Sequence, residues 1–93
     1  MKNKILIVDD DRLNITLLQF GLRDKGYEIC LANDGREALK IVAQEKPNLI
    51  ILDIQMPNMN GFEFMNELQG TPDGKIPVIM LTANETMQDV FFM

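Results

Sequence analysis

An α/β domain built on a parallel sheet, with helices on both faces, is the fold class this sequence predicts, and three observations predict it. Two short runs, Ile5-Leu6-Ile7-Val8 and Leu49-Ile50-Ile51-Leu52, are continuously apolar and rich in β-branched residues, the pattern of strands buried on both faces. Strand-like and helix-like segments alternate along the chain as βαβαβαβ, a rhythm that implies parallel neighbours joined by right-handed crossovers. Each of the two runs also ends in acid, Asp9 and Asp10 after the first and Asp53 after the second.

The elements follow in order. After the first strand, Arg12 to Lys25 carries Leu13, Leu17 and Phe20, with Leu18 and Leu22, at roughly helical spacing, and Gly26 is placed to terminate the helix. Tyr27 to Ala32 reads as the second strand. Asn33-Asp34-Gly35 is turn chemistry, and Ala38, Leu39 and Val42 mark a second helix that stops before Pro47. Asn48 to Ile54 is the third strand and Gly61 to Leu68 the third helix. Pro72 and Gly74 mark a loop over 70–75, and Pro77 to Thr82 is the fourth strand.

Composition bounds what such a domain does. At 93 residues the chain holds one domain, read as 1–93, and 46% hydrophobic with 25% charged residues is a globular composition. A net charge of -5 argues against nucleic acid as a direct partner, since phosphate binding needs clustered Lys and Arg, and against an anionic membrane surface. The apolar run after Met1-Lys2-Asn3-Lys4 is too short for a signal peptide or a membrane span, so a cytoplasmic location is expected. One cysteine, Cys30, excludes an internal disulfide, and the absence of histidine argues against zinc and removes the commonest general base. Cys30 is expected as a small buried strand residue without an acidic thiol.

The acids carry the chemistry. If the two runs are adjacent parallel strands, Asp9, Asp10 and Asp53 converge at the carboxyl edge of the sheet, where open α/β folds place ligands. Three such carboxylates repel one another unless a cation sits among them, and an all-oxygen set of this charge favours Mg2+ together with a phosphate. Ordinary structural roles compete. Asp9 and Asp10 suit turn and cap positions ahead of a helix, and Asp11 suits the cap itself. Thr82 is a common strand residue, and Met56, Met59 and Met65 suit packing.

Three segments together, Ile7-Val8-Asp9-Asp10, Leu52-Asp53-Ile54-Gln55-Met56-Pro57-Asn58-Met59-Asn60-Gly61 and Met80-Leu81-Thr82-Ala83, give the chain a family likeness. It resembles the receiver domain of bacterial two-component response regulators, from Lys4 to about Val90. The acceptor aspartate followed by Met-Pro-x-Met-x-Gly is the most specific part. The resemblance implies a flavodoxin-like doubly wound sheet with strand order 2-1-3-4.

It also implies roles. Asp53 would be the phosphoacceptor, a nucleophile taking its phosphoryl group from a histidine kinase or phosphotransfer protein. Mg2+ would be held by Asp10 directly, by Asp9 largely through water, by Asp53, and by the backbone carbonyl of Gln55, whose side chain is left to tune the phosphoryl lifetime. Thr82 would turn its hydroxyl to a phosphoryl oxygen and bias a two-state loop, with small Ala83 leaving room beside it. Met56, Pro57 and Gly61 would shape the loop after the acceptor. Such a domain promotes its own phosphorylation and dephosphorylation and is not a conventional enzyme. Leu13, Asn14, Leu17 and Leu18 on the first helix are candidates for kinase contact, although core packing accounts for the leucines equally well.

The departures matter as well. A complete receiver continues through a fourth helix, a fifth strand ending in Lys-Pro and a last helix, so the domain is expected to be incomplete at its C-terminal side. Lys40 and Lys75 do not match the family's lysine. The fourth strand, Val78-Ile79-Met80-Leu81, is then expected as an open sheet edge beside the Phe91-Phe92-Met93 end, and a homodimer through that edge is expected. Two other functions stay open. One is a signalling-impaired interaction or dimerisation module, and the other a Mg2+-dependent aspartyl phosphatase, which would want an aspartate where Gln55 stands.

Overall fold

The computed structural model describes residues 3–53, 59–81 and 91–92. Five strands and three helices are described: β1 (Lys4–Val8), α1 (Arg12–Asp24), β2 (Glu28–Ala32), α2 (Gly35–Glu45), β3 (Leu49–Asp53), α3 (Gly61–Gln69), β4 (Val78–Leu81) and β5 (Phe91–Phe92). The sheet order is β2-β1-β3-β4-β5. The first four strands are parallel, with Val8 paired in register to Ala32 on one side and Leu52 on the other. The expected order 2-1-3-4 is therefore the order of the parallel part.

Period-two alternation divides the core. Leu6, Val8, Ile50 and Leu52 point to one face and pack with Ala38, Val42, Phe64, Met65 and Leu68 of α2 and α3. Ile5, Ile7 and Ile51 point to the other and meet Ile15 of α1, with Leu18 and Leu22 beside it. Both faces of the central strands are covered, which is why their interiors carry no polar residue until they reach the acids.

α1 departs from the expected face. Ile15, Leu18 and Leu22, spaced i, i+3, i+7, lie against the sheet, whereas Leu13 and Leu17 are 65% and 64% exposed and Phe20 is 80% exposed. The helix carries two apolar stripes, and spacing alone cannot say which of them meets the sheet. Its ends follow the sequence signals. Asp11 caps the start by accepting from the Leu13 N–H at 2.9 Å, and the chain leaves through Gly26 at φ 89°. Nothing lies within 4 Å of a Cβ added at Gly26, so Gly26→Ala is expected to lower stability through backbone conformation alone. The expected cost is about 1–2 kcal/mol, read as a lower urea midpoint at unchanged slope.

The sheet's far edge also differs from expectation. β4 is not open along its length, because β5 pairs with it antiparallel, Ile79 to Phe92 and Met80 to Phe91. A parallel return needs a crossover of about a dozen or more residues, and only 82–90 separate the two strands, so an antiparallel return is the pairing available. The edge on which the expected homodimer rested is thus occupied at Ile79 and Met80.

Candidate metal and phosphoacceptor site

The parallel register builds the site. Since Val8 pairs with Leu52, the residues that follow, Asp9 and Asp53, emerge side by side at the carboxyl edge. Asp9 is firmly held. Its N–H donates to the Ala32 carbonyl at 3.1 Å, its Oδ1 accepts from the Asp11 N–H at 2.9 Å, and it is 2% exposed. Asp53 ends β3 at 9% exposure, paired in register with Leu81 of β4. Asp10 completes the group from the surface.

Carboxylate oxygens of Asp9, Asp10 and Asp53 all lie within 4.8 Å of one another. Crowded anions of this kind repel while ionised, and a divalent cation relieves that repulsion best. The donor set is oxygen alone, with one exposed member open to water, which suits Mg2+ because that ion keeps several waters and binds through few carboxylates. The residues therefore fit the cation that the sequence implied.

The other expected site residues divide. Gly61 is the first residue of α3 and is buried, and among the described residues Gly26 is the glycine at positive φ, so the backbone freedom anticipated for Gly61 is not used. Gln55, Met56, Pro57, Thr82 and Ala83 lie outside the described residues. Asp11 stays out of the cluster and caps α1 instead. Lys75 stands before the amino end of β4, at the sheet edge opposite the acids, and Lys40 is on the exposed side of α2. Cys30 lies in β2 as expected but is half-buried rather than buried, and that partial burial pushes its thiol above the ordinary pKa, in keeping with an unreactive residue. One contact carried no signal in the sequence. Gly35 at the start of α2 lies directly against Met59, which leads into α3.

A doubly wound, mostly parallel sheet with three carboxylates gathered at its carboxyl edge defines a flavodoxin-like domain with an acidic cluster that could hold a cation. The chain belongs to the response regulator receiver domain family, whose model matches residues 5–92. It is 44% identical over 85 residues to the alkaline phosphatase synthesis transcriptional regulatory protein PhoP of Bacillus subtilis, covering 91% of this chain and 35% of that protein. It is 39% identical over 89 residues to response regulator MprA of Mycobacterium tuberculosis, covering 96% of this chain and 38% of MprA. The chain thus spans little more than a third of these curated relatives. Among solved structures, chemotaxis protein CheY4 of Vibrio cholerae superposes with a TM-score of 0.85 at 36% identity, over 95% of this chain and 74% of that one. The receiver domain of sensor histidine kinase PA1611 from Pseudomonas aeruginosa PAO1, which has magnesium coordinated in its active-site cleft, gives 0.85 at 30% identity, over 96% and 74%. The chain is a two-component receiver domain, and these matches support neither the interaction-module nor the aspartyl phosphatase alternative.

Proposed function

We propose that Asp53 is the phosphoacceptor of this receiver domain and that Asp9, Asp10 and Asp53 hold the Mg2+ that phosphoryl transfer needs. The observation that carries this is the gathering of the three carboxylates within 4.8 Å at the ends of adjacent parallel strands. When bound, Mg2+ offsets the charge that builds on the phosphoryl oxygens. An Asp53 carboxylate oxygen attacks phosphorus, a new O–P bond forms, the bond from phosphorus to the donor breaks, and the donor leaves with that electron pair. Asp9 holds its orientation through the Asp11 N–H, and exposed Asp10 can exchange water for a cation. Gln55 supplies a further oxygen through its backbone carbonyl. Thr82, directly after the β4 residue paired with Asp53, reads the phosphoryl group, with Ala83 leaving room for it and Met56 and Pro57 shaping the loop. The domain, taken as the unit 1–93, promotes its own phosphorylation and turnover.

The partner is a histidine kinase or a phosphotransfer protein. Exposure of Leu13, Asn14 and Leu17 on α1, which starts directly after the acids, supports their contact with it, while Leu18 packs toward the sheet. No helix among the described residues is long and apolar enough to cross a membrane. A cytoplasmic location goes with the receiver family, and the net charge of -5 supports a domain that does not itself touch nucleic acid. Incubation with acetyl phosphate and Mg2+ tests the assignment. Intact-mass spectrometry is expected to show a gain of one phosphoryl group that EDTA prevents, and a folded chain that gains nothing would overturn it.

A further inference from the structure

Gly35 begins α2 in a conformation that does not require glycine. Its φ is not in the left-handed region, and Asp34 before it is extended, at φ -155°. Space is what it provides. A Cβ at position 35 would stand 2.8 Å from both Cγ and Sδ of Met59 and 3.0 Å from its Cβ. Those distances involve the base of the Met59 side chain as well as its outer part, so swinging the thioether away would not relieve them all. Met59 itself is 8% exposed and belongs to the core cluster that includes Ala32, Ala38, Leu52 and Phe64.

The two residues in contact each sit at a clasped helix start. On α3, the Asn60 N–H donates to Glu63 at 3.1 Å while the Glu63 N–H donates to the Asn60 side chain at 2.9 Å. On α2, the Glu37 N–H donates to Asp34 at 2.9 Å, and the Glu37 carboxylate accepts from the Asn33 N–H at 3.1 Å. Such reciprocal caps leave the first turn little freedom. The Gly35–Met59 contact joins one clasped start to the other. Met59 also shares its core cluster with Leu52, the residue directly before Asp53, and with Ala32, whose carbonyl accepts from the Asp9 N–H.

We infer that Gly35 is a positioning residue for phosphoryl acceptance: by lacking a Cβ it forms the seat for Met59, which packs in the cluster that supports Asp53 and Asp9 through Leu52 and Ala32. The inference rests on Asp53 being the acceptor. A displaced Met59 disturbs the packing of Leu52, which precedes Asp53, and of Ala32, which anchors Asp9, so the cost falls on cation binding and transfer rather than on folding alone.

The test compares the native chain with Gly35→Ala, Met59→Ala and the double variant, following phosphorylation by acetyl phosphate across Mg2+ concentrations, with circular dichroism giving the folded fraction. Each single variant is expected to raise the half-saturating Mg2+ concentration and to slow transfer per folded molecule about tenfold, a scale set by small misplacements of reacting groups. In the double variant the methyl introduced at position 35 takes up part of the space left by the thioether. Recovery to within about threefold of native is expected there, the mark of two groups in contact. Native phosphorylation with unchanged kinetics per folded molecule in both single variants would overturn the role of Gly35 alone. Should Gly35→Ala not fold, Met59→Ala decides by the same criterion. A folded native chain without phosphorylation would overturn the acceptor assignment and this inference with it.

Discussion

Asp53→Asn is expected to reduce phosphoryl uptake from acetyl phosphate to background while leaving the fold intact. Asparagine keeps the shape of the side chain at a position only 9% exposed, so packing changes little. What it removes is the anionic oxygen. A carboxamide cannot form an acyl phosphate of comparable ease, and no effect of positioning compensates for the missing nucleophile. The substitution also withdraws one of three charges crowded within 4.8 Å, which relieves repulsion. Thermal stability without Mg2+ is therefore expected to hold or rise, and stabilisation by added Mg2+ to shrink, since ligand stabilisation scales with affinity. Intact-mass spectrometry and thermal melts with and without Mg2+ measure both halves. A variant that still gained one phosphoryl group would place the acceptor on another residue. A variant that melted well below native would show that Asp53 supports the fold as well as the chemistry.

The central strands and the acids that end them were readable because one physical cause writes both. A strand covered on two faces tolerates no polar residue in its interior, so the first acid after Val8 or Leu52 also marks where the chain leaves the sheet, at the edge where ligands bind. The helix caps were nearly as plain, since Asp11 and Gly26 bound α1 where their conformational preferences place them. Three features resisted reading. The buried face of α1 could not be chosen from spacing, because Leu13-Leu17-Phe20 and Ile15-Leu18-Leu22 are both valid helical stripes, and only docking on Ile5, Ile7 and Ile51 selects the second. β5 is two residues long, too short for a periodic signal, and its pairing follows from the proximity of β4. Gly35 sat in an Asn-Asp-Gly run whose turn chemistry already accounted for a glycine, whereas its use is to admit Met59, a residue distant in sequence.

Phe64→Ala is expected to be the most damaging single truncation in the core, and its neighbour Phe62 provides the control. Both phenylalanines lie on α3, but Phe64 is 0% exposed in the cluster that holds Leu52, Met65, Leu68 and Met80, while Phe62 is 60% exposed. Removing the buried ring takes away its transfer energy and leaves a cavity that the sheet and α2 cannot fill without moving, a combined cost of about 3–5 kcal/mol. Domains of this kind have a total stability of about 5–15 kcal/mol, so the variant should lose a large fraction of it and melt at least about 12 °C lower. Phe62→Ala changes helix propensity by the same residue exchange without opening a cavity, and is expected to stay within about 0.5 kcal/mol of native. Because the two exchanges are chemically identical and two positions apart, their difference isolates burial. Chemical denaturation of both variants measures it. A difference below about 1 kcal/mol would mean that the space around Phe64 collapses on truncation. Since Phe64 and Met59 belong to one cluster, the loss should reach the site too, with a larger change in Mg2+ dependence for Phe64→Ala than for Phe62→Ala in the folded fraction.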